Sequence, residues 1–277
     1  MRGRAAGARH RDRGLRVRPG RAPWILLLPA FAGAAFLVLP LAGLLVRAPW
    51  PDMARRVTEP EVLSALWLSL WTATAATVLS LLLGVPLAWL LARTEFPGRR
   101  IVRALVTVPL VVPPVVGGVA LLFVLGRNGL LGQYLHAWFG IGIPFTPAAV
   151  VLAQTFVAMP FLVVGVEGAL RAADRRYEEA AATLGAGRAT VFARVTLPAV
   201  LPGVGAGAVL CWARALGEFG ATVTFAGNFP GTTRTMPLAV YTAMQSDPEA
   251  ALVLSLLLLG VSLAVLAALR EKWAFVR

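Results

Sequence analysis

Two groups of residues in this sequence have types and spacing suited to chemistry. Arg214 and Glu218 stand four apart within an apolar run, so on a helix they share one face. Opposite charges at that spacing can neutralise each other away from water. Facing a cavity, they can also present charge to a passing ion. The second group is Glu178 and Glu179-Ala180-Ala181, then Leu184 and Gly185, and, after nine further residues, Val195-Thr196-Leu197-Pro198. Small side chains closed by a glycine suit docking against another surface rather than bond making. Other chemistries lack their residues. The one lysine, Lys272, precedes Trp273, whereas a phosphate-cradling loop needs lysine followed by Ser or Thr after a glycine-rich turn. His10 and His136 lie in different segments and cannot form a paired-histidine metal site. No nucleophile–base pair is visible. No catalytic residue, bound metal or cofactor is therefore expected on this chain. Acidic residues within apolar runs are few, Glu218 and Glu167, which makes a thin proton relay.

The elements that position these residues are apolar blocks. The chain is 58% hydrophobic and 14% charged, against about 25% charged in a typical soluble domain. Six blocks reach the roughly 18 residues that mark a spanning helix: Trp24–Val46, Val62–Leu91, Ile101–Leu125, Ala148–Leu170, Ala199–Phe225 and Ala250–Leu269. Strand alternation is absent, which argues against a membrane barrel. The net charge of +13 is not spread as a nucleic-acid surface would be. Eight arginines precede the first block, and four, five and three basic residues flank alternate blocks thereafter. The opposite loops hold five arginines. That asymmetry is the positive-inside pattern and puts both termini in the cytoplasm, which agrees with an even number of spans. The expected layout is a disordered basic tail over residues 1–22, an all-α membrane domain over 23–270 with a cytoplasmic loop at 171–198, and a short cytoplasmic tail over 271–277. The first block is longer than a signal-peptide core and reads as an uncleaved helix. Cys211, the lone cysteine, is a packing residue.

Within the 171–198 loop, Asp174 can cap a helix. Tyr177, Ala180, Ala181 and Leu184 then fall on one shallow apolar stripe. Gly185 and Gly187 suit a chain reversal, and Pro198 a stop. An ordinary helical connector is the alternative to a docking element. Pro109, Pro113 and Pro114 prevent a straight third span, and broken helices in membranes face protein or a wet cavity. Gly203 and Gly207 make a small-xxx-small face for packing within the subunit or between copies.

The run Glu179-Ala180-Ala181-x3-Gly185-x9-Val195-x-Leu197-Pro198 resembles the EAA loop of ABC importer permeases, with Val195 in place of the usual isoleucine. The resemblance extends over about residues 24–270. Pro109 to Gly118, Gly126 to Gly132, Ala213 to Thr222, Phe225 to Asn228 and Thr233 to Leu238 are similar to the molybdate branch. Sulfate and thiosulfate permeases share a related Gly-Glu-Phe/Tyr-Gly segment. The Ala221-Thr222 that follows Gly220 favours molybdate, with tungstate close behind.

The resemblance implies an all-α polytopic protein of six transmembrane helices, like type I ABC importer permeases, in the prokaryotic plasma membrane. It implies a homodimer, two ATP-binding cassette subunits carrying ATP-Mg, and an extracytoplasmic molybdate-binding protein. Glu178, Glu179, Ala180, Ala181, Leu184 and Gly185 would then couple to the ATPase. Pro113, Pro114, Arg214, Glu218 and Thr222 would line the pathway, with Arg214 offering positive potential to an oxyanion. A purely structural role for the Arg214–Glu218 pair stays open. So do a sulfate or thiosulfate permease and an ion-coupled carrier, the latter requiring inverted repeats with ionisable pairs in corresponding spans, neither of which the sequence shows.

Overall fold

A computed structural model describes residues 24–274. The expected tail at 1–22 falls outside them, as does His10, and of the one at 271–277 the last three residues do. The chain forms two units that divide after Arg47. The first holds α1 (Trp24–Arg47), an apolar helix none of whose residues is buried.

The second unit begins with α2 (Trp50–Val57) and α3 (Pro60–Arg93). α4 (Arg99–Val111), α5 (Pro114–Leu125), α6 (Gly132–Phe139) and α7 (Pro147–Ala172) follow. The polar loop carries α8 (Arg176–Thr183) and α9 (Arg188–Val191); then come α10 (Leu197–Leu216), α11 (Gly220–Phe225), α12 (Met236–Ser246) and α13 (Pro248–Ala274). Among the described residues there is no strand. Five helical stretches are long and apolar enough to cross a membrane, and the α4–α5 pair makes a sixth if its bent halves form one span.

α3, α7 and α10 form the centre. Their contact faces are lined with small residues, Ala73, Ala76, Ala88 and Ala158, all fully buried. Lipid tails are as apolar as leucine, so helices in a bilayer associate by close packing rather than by escaping water. The glycines set this closeness. A β-carbon on Gly203 would run into Ala169, and one on Gly207 would press on Leu162, which assigns the Gly203–Gly207 face to packing within the chain. Thr72, Thr77 and Ser255 satisfy their hydroxyls on carbonyls four residues back, as polar side chains in a dry interior must. Large apolar residues such as Trp67, Leu82, Phe123 and Leu210 point outward, a surface suited to lipid.

The third block is broken, as its prolines lead one to expect: the chain bends by 119° between α4 and α5. The role of Pro109 and two further expectations are corrected. Val112 and Pro113 both have extended backbones, ψ 132° each, because a residue before proline is excluded from the helical region. Pro109 is carried inside α4 without breaking it. Arg103 at one end of the pair binds Glu167 near the end of α7, and Leu122 and Leu125 at the other pack on the cluster holding Ala149 and Val150 near its start. The pair thus runs the length of α7.

Pro198 does not stop a helix. α9, a five-residue π-turn (Phe192–Thr196) and α10 are continuous. Proline has no N–H and its ring clashes with the carbonyl four residues back, here Arg194. The preceding turn widens, and Leu197 N–H bonds the Phe192 carbonyl five residues back.

The fifth span ends at Leu216 rather than Phe225. The Glu218 carboxylate accepts the Ala221 N–H at 2.9 Å, so a side chain takes over the capping of α11.

Candidate functional site

α8 sits at the end of α3 that carries Arg93. Asp174 accepts the Arg176 N–H at 3.0 Å and starts the helix. Gly185 ends it in the left-handed region at φ 85°, a conformation open to glycine without strain. One face is tied down: Glu178 accepts from Arg93 at 2.8 Å, and Arg175 donates to the Ala92 carbonyl at 3.3 Å. The other face is free. Tyr177 and Ala180 are exposed, and Leu184 is 88% exposed. Behind the helix a cleft of about 410 Å³ is lined by Trp89, Glu179, Ala182, Arg188 and Phe192 among others. Trp89 meets Phe192 of the π-turn edge to face, centroids 5.9 Å apart, so the α8 region and the π-turn leading into α10 share a wall. The six loop residues are thus brought together, with Glu178 turned inward as an anchor and Leu184 outward.

The five residues expected on a pathway converge where α5 meets α11. Pro114 begins α5, and a β-carbon on Gly220 would reach its side chain and the Val115 backbone. A β-carbon on Gly118 would collide with the Thr224 hydroxyl and the Ala221 backbone. Backbone thus approaches backbone, which only glycine permits. Glu218 is 1% exposed and its Oε2 lies 2.6 Å from Arg214 Nη1, whose side chain is 28% exposed. The approach is off-axis for a hydrogen bond, so the contact is a charge pair. The other carboxylate oxygen caps α11. Pro113 is exposed at the break, whereas Thr222 is fully buried. Its hydroxyl has no hydrogen-bond partner.

Sequence reasoning missed the contacts that hold these sites. Arg93 and Glu178 are 85 residues apart, and no local pattern announces them. Glu167 takes Arg103 and Arg171, each at 2.6 Å; the i,i+4 spacing of Glu167 and Arg171 was the available signal. At the other end of α3, Arg56 binds Asp247 at 2.6 Å. The guanidinium holds the Asp247 carboxyl below the usual carboxylate range, chiefly through that hydrogen bond, aided by the Ala250 N–H. Arg56 is raised in turn. Arg234 donates to Asn228 at 2.9 Å, so it is part of the loop's own fabric.

The sequence pattern of the family described as "Binding-protein-dependent transport system inner membrane component" matches residues 80–275. The chain is 53% identical over 247 residues to the "Molybdenum transport system permease protein ModB" of Mycobacterium tuberculosis, covering 89% of this chain and 93% of that one. It is 43% identical over 217 residues to the protein of the same name from Escherichia coli K12, covering 78% and 94%. It is 36% identical over 234 residues to the E. coli K12 "Sulfate transport system permease protein CysT", covering 83% and 84%. In fold it is similar to a chain of a bacterial ABC transporter that imports alginate, with TM-score 0.72, 18% identity and 91% and 94% of the two chains covered. It is also similar to a chain of the MetNI methionine ABC transporter, with TM-score 0.63, 20% identity and 79% and 99% covered. With most of its length matched, this chain belongs to the family of binding-protein-dependent transport system inner membrane components.

Proposed function

We propose that this chain is the permease subunit of an ATP-driven molybdate importer, an ABC-type molybdate translocase. It works as a homodimer with two ATP-binding cassette subunits and an extracytoplasmic molybdate-binding protein. The observation that carries the reading is α8: a helix fixed on one face by Arg93–Glu178 and bare on the other through Tyr177, Ala180 and Leu184. An element built to stay attached while offering a shallow apolar stripe suits a groove in a moving partner. ATP-Mg sits on that partner, and this chain does no covalent chemistry. The arginine bias of the loops supports a cytoplasmic α8 end and cytoplasmic termini. Closure of the ATPases displaces α8, the bundle opens outward, and hydrolysis resets it. Arg214, steadied by Glu218 beside the break at Pro113 and Pro114, offers positive potential along the path, and Thr222 stands beside it.

The ion follows from the relatives named for molybdenum transport, at 53% and 43% identity against 36% for the sulfate permease. The test is coexpression with a cognate ATPase and binding protein in cells, reading uptake of labelled molybdate. Leu184→Glu should leave the fold intact and abolish ATPase copurification and uptake together. Uptake driven by a proton gradient without the ATPase would overturn the class. Sulfate uptake unaffected by molybdate would overturn the ion.

A further inference from the structure

We propose that the elbow between α3 and α4 binds the phosphate headgroup of an anionic phospholipid. The elbow gathers guanidinium groups around too little negative charge. Arg99 donates to the Leu91 carbonyl through Nε at 2.9 Å and Nη2 at 2.6 Å, and Arg103 Nη2 reaches the same oxygen at 3.1 Å. Arg103 and Arg171 also converge on one oxygen of Glu167. These bonds fix where the arginines stand: Arg103 and Arg171 share a single carboxylate, and Arg99 is held on a carbonyl, three cations to one anion. Exposed Arg100 and Glu95 add one charge of each sign, which leaves two positive charges unbalanced. Such a surplus at a membrane boundary calls for an anion.

There is room for one. A cavity of about 590 Å³ opens at the elbow, lined by Glu95, Phe96, Arg99, Arg100, Ile101 and Arg103 among others. What selects a lipid over a free anion is the surface below it. Ile101, Leu105 and Val108 are exposed on the second unit, and at i, i+4 and i+7 they form one stripe along α4. A basic rim above an apolar stripe matches a charged headgroup above its acyl chains. The inference needs the chain to be embedded in a bilayer and does not depend on which ion is transported.

The experiment titrates the delipidated full-length chain in detergent with phosphatidylglycerol or phosphatidylcholine and counts bound lipids by native mass spectrometry. Wild type should prefer phosphatidylglycerol. Arg100→Gln should lower that preference about fivefold, the equivalent of about 1 kcal/mol per basic residue near an anionic surface. Glu95→Gln should raise it by a similar factor and keeps the test alive if the arginine variant misfolds. Arg194→Gln, exposed on the π-turn and outside the lining of the elbow cavity, should leave it unchanged. Equal binding of the two lipids overturns the proposal. So does a loss in Arg194→Gln as large as in Arg100→Gln, which would mark general surface charge. Displacement of phosphatidylglycerol by inorganic phosphate at matching concentration would reassign the site to a free anion.

Discussion

The α8 region and the α5–α11 junction are both built around a glutamate paired with an arginine, yet they are held in opposite ways. At α8, Glu178 and Arg93 come from distant elements and tie down one face of a short helix whose other face is open. At the junction, Glu218 is enclosed and serves two partners at once, the Arg214 charge and the Ala221 N–H. Glycine contacts around it leave no room for adjustment. A surface helix that must receive a partner is fastened at one line, so it can shift as a body. A break inside a membrane core must have its polar groups answered on the spot. The same residue pair is therefore an anchor in one place and a keystone in the other.

That contrast can be broken by substitution. Glu218→Gln should have the largest effect on stability, about 3 kcal/mol, at the low end of the cost of orphaning a buried partner because Arg214 keeps some exposure. Thermal unfolding in detergent measures it, and a change below about 1 kcal/mol would show that the pair is not structural. Gly118→Ala should follow at about 2 kcal/mol, the cost of overpacking a site that cannot relax. Glu178→Gln should cost about 1 to 2 kcal/mol, because it leaves the nearly buried Arg93 guanidinium with a neutral acceptor in place of a carboxylate, while uptake falls much further than stability does. Comparable losses in both would erase the difference between the regions. The smallest effect belongs to Arg56–Asp247. The Asp247 carboxyl is held below its unfolded value, so its contribution is present at neutral pH and is lost as pH falls through its lowered folded value. Asp247→Asn should flatten the acid limb of the stability profile, and an unchanged limb would rule the pair out as its source.

Much of this was legible in the sequence because membranes impose coarse rules. Block length gave the spans, arginine bias gave the expected sidedness, and the glycine after Leu184 marked the end of α8. The paired prolines foretold the break at Val112. What stayed hidden depends on competition between neighbours. Pro198 looked like a terminator, but its missing donor was absorbed by widening one turn. The apolar run through Phe225 concealed a helix end because Glu218 caps its own successor. α12, at 11 residues, is too short to register as a span, and the ties from Arg93, Arg103 and Arg56 join segments far apart in the chain.

The uninterrupted rod from Arg188 to Leu216 has a mechanical consequence. Its 29 residues extend roughly 43 Å at 1.5 Å per residue. Gly203 and Gly207, pressed against α7, lie close to its midpoint. From the centre of that contact Phe192 lies 13 residues one way and Arg214 9 the other, arms of about 20 and 14 Å. A tilt about the two glycines would carry Arg214 roughly two-thirds as far as Phe192, in the opposite direction.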